Sequence, residues 1–139
     1  MARHYWLAKS EPSTYAWEQL VSDGATRWDG VRNHQARNNL AAMQPGDLVL
    51  FYHSGESREI VGIMRVARGA YPDPKADDPR WLAVDVKALK PLAQPVSLAA
   101  IKADPALRSM ALVRQSRLSV MPVEKEIFER ILALAKTRL

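Results

Sequence analysis

The fold is decided around a turn that leads into an apolar run, Pro45-Gly46-Asp47 followed by Leu48-Val49-Leu50-Phe51-Tyr52. Proline, glycine and aspartate in succession are typical of a tight turn. The run that follows does not alternate between apolar and polar residues, as a strand with one solvated face would. It is typical of a strand that is buried on both faces, so we expect residues 48–52 to lie inside a sheet.

Four further segments outside this run are predicted to be strands: residues 4–8, 60–66, 81–86 and 118–122. The third of them alternates cleanly between apolar and polar positions. Gly62 lies inside the second, where a glycine indicates a bulge or a close approach by another segment. Three prolines, at positions 72, 74 and 79, mark one extended loop between strands.

Helices are predicted over residues 16–21, 31–43 and 97–103, and again near the C-terminus, where Ile127, Ile131 and Leu134 form an apolar stripe. Gly24 is a suitable left-handed C-cap for the first helix, and Ser97 is a suitable N-cap for the third. Because the resulting order of strands and helices does not repeat a βαβ unit, we predict an α+β fold with a mixed, partly closed sheet.

Composition limits the class of protein. The 139 residues are 47% hydrophobic and 25% charged, which predicts one folded domain over residues 1–139 rather than a disordered chain. No apolar run approaches the ~18 residues that span a bilayer, and the first residues lack the apolar core of a secretion signal. The absence of cysteine excludes disulfides, thiolate zinc sites and a cysteine nucleophile. We therefore expect a cytoplasmic protein.

Basic residues outnumber acidic ones by 20 to 15, which gives a net charge of +5. Thirteen of the twenty are arginine, whose planar guanidinium suits phosphates and base edges. Arg114 and Arg117 lie in a stretch without any acid between Asp104 and Glu124. This distribution favours a polyanionic partner more than the net charge alone does.

The most unusual segment begins at Trp28-Asp29-Gly30 and continues into the second predicted helix. On a helical wheel, Arg32 and Asn33 fall on the same side as the apolar residues and are expected to point inward. Two explanations stay open. In the first, Arg32 pairs with a core acid such as Asp29 or Asp85 and Asn33 bonds to the backbone of a neighbouring strand; in the second, both line a polar pocket.

Four tryptophans stand out in a chain with few aromatic residues. Trp17 and Trp81 are expected to fill the core. Trp28 lies in a glycine-containing turn among polar residues, where its ring can stand at the mouth of a cleft. An aromatic face beside side-chain donors is what recognition of an extruded nucleobase requires.

Polar clusters follow or precede three predicted strands, at Lys9-Ser10-Glu11, Tyr52-His53-Ser54 and Arg114-Gln115-Ser116-Arg117. No two of the three histidines have metal-binding helical spacing, and no glycine-rich phosphate loop occurs. We predict no metal and no cofactor. A hydrolase acting on RNA or a nucleoside, with Lys9, Glu11 or His53 as catalytic groups, and a pocket for a small metabolite remain alternatives.

The chain resembles the EVE domain family from about residue 6 to residue 134. The resemblance lies in these segments: Trp6-Leu7-Ala8-Lys9-Ser10-Glu11-Pro12, Trp28-Asp29-Gly30-Val31-Arg32-Asn33 through Gln35-Ala36-Arg37-Asn38, Pro45-Gly46-Asp47, Phe51-Tyr52-His53-Ser54, Ala70-Tyr71-Pro72-Asp73, Val84-Asp85-Val86 and Arg114-Gln115-Ser116-Arg117-Leu118-Ser119-Val120. It implies a PUA-like fold, a small mixed β-barrel flanked by helices. It further implies a non-enzymatic reader of a modified base, most readily a modified cytosine in DNA with RNA as an alternative, and we expect a monomer.

The resemblance, combined with side-chain chemistry, also implies residue roles. Trp28 would be the stacking wall of an aromatic-lined pocket that receives an extruded base. The other pocket residues would be Arg32, Asn33, Lys9, Ser10, Tyr52, His53 and Ser54, while Arg114, Arg117 and Arg37 would face the nucleic-acid backbone. One departure concerns Ala16, which stands where relatives carry a serine, so the first helix is expected to lack a side-chain cap.

Overall fold

The computed structural model describes residues 3–139, so that Met1 and Ala2, the start of the N-terminal stretch considered above, lie outside the described residues. In this part of the chain six strands form one sheet. They are β1 (Tyr5–Ser10), β2 (Ala25–Trp28), β3 (Leu48–His53), β4 (Glu59–Pro72), β5 (Leu82–Ser97) and β6 (Val120–Val123). Their order across the sheet is β2-β5-β4-β3-β1-β6, with β1 and β3 parallel and the other neighbours antiparallel.

Every residue of β3 is buried, as the apolar run predicts. The strand lies between β4 and β1, so its backbone groups are paired on both edges. The turn before it is fixed by Asp47, whose buried carboxylate accepts from the indole Nε1 of Trp6 at 3.0 Å and from the backbone N of Gln44 at 3.0 Å. A polar residue in the core is thereby satisfied.

Five helices accompany the sheet in residues 3–139. They are α1 (Trp17–Asp23), α2 (His34–Ala42), α3 (Leu98–Ala103), α4 (Ala111–Arg114) and α5 (Lys125–Leu134). Gly24 ends α1 with a φ of +79°, and the Ser97 side chain accepts from Ala100 N at 3.0 Å at the start of α3, as predicted. On α5 the apolar stripe buries Phe128 and Ile131, and the Phe128 ring lies 4.4 Å from that of Tyr5.

The α+β class is confirmed, but the sheet is not a closed barrel. The two outermost strands, β2 and β6, are not paired with each other among the described residues. Both are only four residues long, and α2 packs against β6, β4 and β5 in place of a closing strand. A helix therefore covers the region where a barrel would have closed its hydrogen-bond ladder.

Gly62 lies both at an irregularity in the strand pairing and at a close approach by another segment, the two features that a glycine inside a strand indicates. The pairing of β4 with β5 shifts register between Ile60 and Gly62, which is the irregularity a bulge produces. A Cβ built on Gly62 would lie 2.5 Å from the indole of Trp17, so the absence of a side chain lets α1 approach the sheet. Trp17 is 5% exposed and, as expected, belongs to the core.

Candidate functional site

A cleft of about 740 Å³ opens beside the ends of β1 and β2. Four of the eight residues predicted for the base pocket line it, namely Lys9, Ser10, Trp28 and Arg32, and so does Glu11, which the hydrolase alternative named as a catalytic group. They come from two distant parts of the chain, which the sheet brings together. The lining also includes residues that sequence reasoning passed over, among them Thr14, Tyr15, Thr26, Lys75 and Ser119.

Trp28 forms a fixed wall of this cleft. It is the last residue of β2 and is only 9% exposed. Its ring packs edge-on against Phe51 of the central strand, with 5.5 Å between ring centroids and planes at 88°. This arrangement is a favourable aromatic geometry, so the indole is held by the core while part of it remains in the cleft lining.

Asp73 lies behind the lining and fixes the segment that follows Trp28. Its fully buried carboxylate accepts from Gly30 N at 2.9 Å, from the Arg32 guanidinium at 2.9 Å and from Lys75 N at 2.8 Å. Burial alone would raise the pKa of Asp73, but the hydrogen bonds from Gly30, Arg32 and Lys75 outweigh it and the pKa is lowered. Asp73 therefore remains an anion that ties the loop after β4 to the turn after Trp28.

Sequence reasoning missed Asp73 because its three partners lie either 41 to 43 positions away or within its own loop. Asp73 ends one of the segments that carry the family resemblance, and it stands among prolines, which predict a loop but not which residues the loop contacts. Arg32 does pair with a core acid, as the first of the two explanations predicts, but that acid is Asp73 and not Asp29 or Asp85.

Asp29 balances charge at the mouth of the cleft. Its carboxylate lies 2.9 Å from Arg27 Nε and 3.3 Å from Lys75 Nζ. Both bases are substantially exposed, so these pairs contribute little to stability. These two ion pairs do keep the positively charged side chains of Arg27 and Lys75 beside Arg32 at the mouth of the cleft.

Lys9 and Ser10 are also held in place. Lys9 Nζ donates to the Ser116 carbonyl oxygen at 2.9 Å and lies 5.9 Å from the Tyr52 ring centroid. Burial lowers the pKa of Lys9. The Ser10 hydroxyl donates to the Tyr15 carbonyl oxygen. The predicted polar clusters around Lys9 and Ser116 therefore do meet, and the cluster around His53 also contacts the first of them, from the neighbouring strand.

The inward orientation predicted for Arg32 and Asn33 is wrong. Helix α2 begins at His34, so the helical wheel does not apply to the residues before it. Asn33 is exposed and is the N-cap, its Oδ1 accepting from Ala36 N at 2.9 Å. Arg32 has 41% of its side chain exposed. Asn33 lies outside the cleft and lines a neighbouring groove instead.

The neighbouring groove has a volume of about 350 Å³ and is lined by Asn33, Gln35 and residues 114–118. Arg114 and Arg117 are both exposed there. The groove adjoins the cleft, because Ser116 accepts from Lys9 and Ser119 lines the cleft itself. Arg37 lines neither cavity. It is half-buried, and its Nε has no hydrogen-bond partner among residues 3–139.

The cluster Tyr52-His53-Ser54 does not reach the cleft lining. Tyr52 and His53 are buried at the end of β3, and the Ser54 backbone N donates to the Ser10 carbonyl oxygen at 3.0 Å. His53 Nε2 accepts from Trp17 N at 3.0 Å. These residues lie behind the cleft rather than on its rim, because β3 is the fully buried strand of the sheet.

Trp81 differs from its predicted place in the core. It is half-buried and stacks on His34 with 4.9 Å between ring centroids and planes at 26°. The Arg32 guanidinium carbon lies 5.8 Å from the Trp81 ring centroid. Trp81 lies one residue before β5, at the end of the proline-rich loop, so it packs beside the Arg32 side of the cleft.

Within residues 3–139, no helix is long and apolar enough to cross a membrane. No group of three or more histidine, aspartate or glutamate side chains in that range is arranged to hold a metal ion.

A family model for the EVE domain matches residues 4–134. The chain belongs to the EVE domain family. The match covers both segments that build the cleft, the end of β1 and the turn after β2, together with the arginines of the groove.

Among curated proteins, this EVE domain is similar to thymocyte nuclear protein 1 of Mus musculus. The two are 36% identical over 168 residues, which cover 96% of this chain and 74% of the mouse protein. Among solved structures, the crystal structure of the Agrobacterium tumefaciens protein Atu2648 matches with a TM-score of 0.94 at 44% identity, over 96% of this chain and 94% of that one.

A second solved structure is that of human THYN1 protein in complex with 5-methylcytosine-containing DNA. It matches with a TM-score of 0.88 at 34% identity and covers 98% of this chain and 99% of that one. The crystal structure of ASCH from Zymomonas mobilis matches with a TM-score of 0.58 at 10% identity over 96% of each chain. That last likeness concerns the fold alone.

Proposed function

We propose that this EVE domain binds DNA containing a modified cytosine and takes that base, extruded from the helix, into the cleft beside Trp28. The observation that carries the proposal is a fixed tryptophan and an anchored arginine facing one cleft, in a chain 34% identical to a human protein solved with 5-methylcytosine DNA.

The cleft has the size and chemistry for a base. Its volume of about 740 Å³ lies within the range of ~300–1,000 Å³ that is usual for small-molecule sites. Trp28 offers aromatic surface, while Arg32 and Lys9 each keep donors beyond those used by Asp73 and Ser116. Stacking contributes about 1–3 kcal/mol per base, and hydrogen bonds to base edges select among bases.

The groove lined by Arg114 and Arg117 would bind the backbone of the nucleic-acid strand. Arg114 and Arg117 are exposed beside the cleft, in a stretch of sequence without acids. Phosphate contacts by arginine position a protein on nucleic acid without reading its sequence. We therefore assign selectivity to the cleft and general affinity to the groove.

Base extrusion sets a minimum for the binding energy that the cleft must supply. Extruding a base costs a few kcal/mol, so contacts in the cleft must exceed that cost before binding favours the modified site. Trp28 and Arg32 meet the requirement only if they are rigid, since ordering loose side chains would consume part of the gain. Phe51 and Asp73 provide that rigidity.

The proposal is tested by titrating one duplex in three versions, with 5-methylcytosine, with cytosine and with an abasic site at the target position. We expect the tightest binding to the methylated duplex and a smaller difference among the three for Arg32→Gln. Equal affinities for all three, unchanged by the substitution, would contradict the proposal. Retained preference in single-stranded RNA, or saturation by the free nucleoside alone, would instead indicate an RNA or small-molecule ligand.

A control variant separates binding from folding. Arg80→Gln removes an exposed arginine that pairs with Asp78 and does not line the cleft. It should bind like the wild type. Arg32→Gln is interpreted only if its circular dichroism spectrum and thermal midpoint match those of Arg80→Gln.

A further inference from the structure

Three basic side chains come together on the sheet face that points away from Trp28. On β5, Val84 and Val86 are buried, so the alternate residues Asp85 and Lys87 lie on the opposite face. In the ladder between β4 and β5, Arg65 is the direct partner of Lys87 and Arg68 is the partner of Asp85. We call Arg65, Arg68 and Lys87 the outer basic face.

The charges of this face are not compensated within the described chain. All three residues are exposed, and none of them forms an ion pair in residues 3–139. Like charges directly opposite each other in an antiparallel sheet destabilise it. Arg65 and Lys87 therefore carry a cost in the free protein that the fold itself does not explain.

Asp85, the acid that lies on the same face of β5, already accepts a hydrogen bond. Asp85 accepts a hydrogen bond from the Tyr71 hydroxyl, and the Arg68 guanidinium carbon lies 4.1 Å from the Tyr71 ring centroid. Arg68 is thus held by a cation–π contact rather than by a carboxylate. On the other side of Lys87, the partner in β2 is Ala25, which is small and exposed, so the lysine projects from a flat surface.

The face is continuous with the cleft through Arg27. Arg27 is paired with Asp85 in the ladder between β2 and β5, and it also lines the cleft. A rigid polyanion that places one of its groups in the cleft can therefore also reach the outer basic face, across the edge of the sheet at Arg27. Double-stranded DNA is such a polyanion, because it carries one negative charge per ~1.7 Å of its axis.

We propose that the outer basic face binds the phosphate backbone of duplex DNA that flanks the base held in the cleft. The inference rests on the proposed function, from which it takes the partner. It adds a second contact surface, separate from the groove of Arg114 and Arg117, whose role is affinity for duplex DNA and not selection of the base.

The test compares two charge-matched double variants of the full chain. R65Q/K87Q removes the opposed pair of the face. K102Q/R108Q removes two exposed bases that line neither the cleft nor the groove. Each is titrated with a 24-base-pair duplex, with and without one 5-methylcytosine, at 50 and at 200 mM salt.

We expect R65Q/K87Q to reduce the slope of log affinity against log salt by about 2, in accordance with two lost phosphate contacts. Over that salt range the wild type should then lose about tenfold more affinity than the variant. The ratio between methylated and unmethylated duplex should stay unchanged, and the thermal midpoint should not fall, since a repulsive pair is removed. K102Q/R108Q should retain the wild-type slope.

The inference is overturned if R65Q/K87Q keeps the wild-type slope, or if both double variants reduce it equally. A changed methylation ratio would also overturn it, because the face would then act through the cleft. Failure of the proposed function has a different signature, namely a wild-type ratio of one between the two duplexes, whatever the salt slopes are.

Discussion

At the scale of single residues, the imidazole of His53 accepts a hydrogen bond that helix α1 would otherwise lack. Ala16 precedes this helix and has no side-chain oxygen, so it cannot cap it. His53 Nε2 accepts from Trp17 N at 3.0 Å, across 36 positions of sequence. The departure noted at Ala16 is therefore compensated by a residue from the central strand.

Replacing His53 by alanine is expected to lower the free energy of unfolding by about 1–2 kcal/mol, the usual cost of a lost helix cap. Urea denaturation measures the change. His4→Ala is the control, because the hydrogen bonds of His4 in the structure are made by its backbone and its side chain is exposed. If both variants unfold like the wild type, His53 is not a cap.

Asp73 contributes to folding stability beside the cleft through its charge. Its pKa lies below that of the same carboxyl in the unfolded chain, despite burial, because Gly30, Arg32 and Lys75 stabilise the charged form. A lowered folded-state pKa contributes stability that is present above the ordinary carboxyl pKa of about 4. That contribution is lost as the pH falls through the folded-state pKa.

For Asp73→Asn we expect a loss of about 1.5–3 kcal/mol at pH 7, since hydrogen bonds to a charged group are removed. The difference from the wild type should shrink as the pH falls below 4, and urea titrations at a series of pH values test it. Asp77→Asn, in the same loop and exposed, should be neutral. A difference that is independent of pH would show that the charge of Asp73 is not what stabilises the loop.

At the scale of elements, the contact between α1 and the sheet depends on the missing side chain of Gly62. Gly62→Ala would place a methyl group 2.5 Å from the Trp17 indole, so either the buried indole or the helix that carries it must shift. Overpacking of this kind costs about 1–3 kcal/mol. Gly69→Ala is the matched control, because its nearest atom, the Met43 carbonyl oxygen, is 3.5 Å away. Equal thermal midpoints for the two variants would contradict the account.

Elements were predictable where their signal is local. The apolar run of β3, the stripe of α5 and the caps at Gly24 and Ser97 all follow from neighbouring residues. Strand β2 was missed because its four residues alternate weakly and are held by pairing with β5, about 60 positions later. The full lengths of β4 and β5 were missed for a related reason, since register shifts interrupt their alternation.

The candidate site was predictable in part. Lys9, Ser10, Trp28 and Arg32 do line one cleft, because each stands at the end of a strand or in the turn that follows it. Asn33 was predicted wrongly because a helical wheel does not show where a helix begins. Tyr52 and His53 were predicted wrongly because the end of a strand does not show whether neighbouring segments cover it. The contacts of Asp73 and Lys75 could not be predicted from the sequence, because their partners outside their own loop lie about 40 or more positions away.

At the scale of the whole molecule, the cleft and the groove of Arg114 and Arg117 form one continuous surface. The double variant R114Q/R117Q should weaken binding to methylated and unmethylated duplexes by the same factor and flatten the salt dependence of both. Fluorescence anisotropy at several salt concentrations measures these effects. A loss confined to the methylated duplex would mean that the groove reads the base, contrary to our assignment.

The central claim is that a modified cytosine leaves the helix to enter the cleft beside Trp28. The most direct measurement compares affinity for a duplex whose 5-methylcytosine is paired with guanine against one in which it faces an abasic site. Unpairing the base in advance removes part of the extrusion cost, and each 1.4 kcal/mol so removed is worth about tenfold in affinity. We predict about tenfold tighter binding, or more, to the duplex with the unpaired base. Equal affinity for the two duplexes would contradict base extrusion.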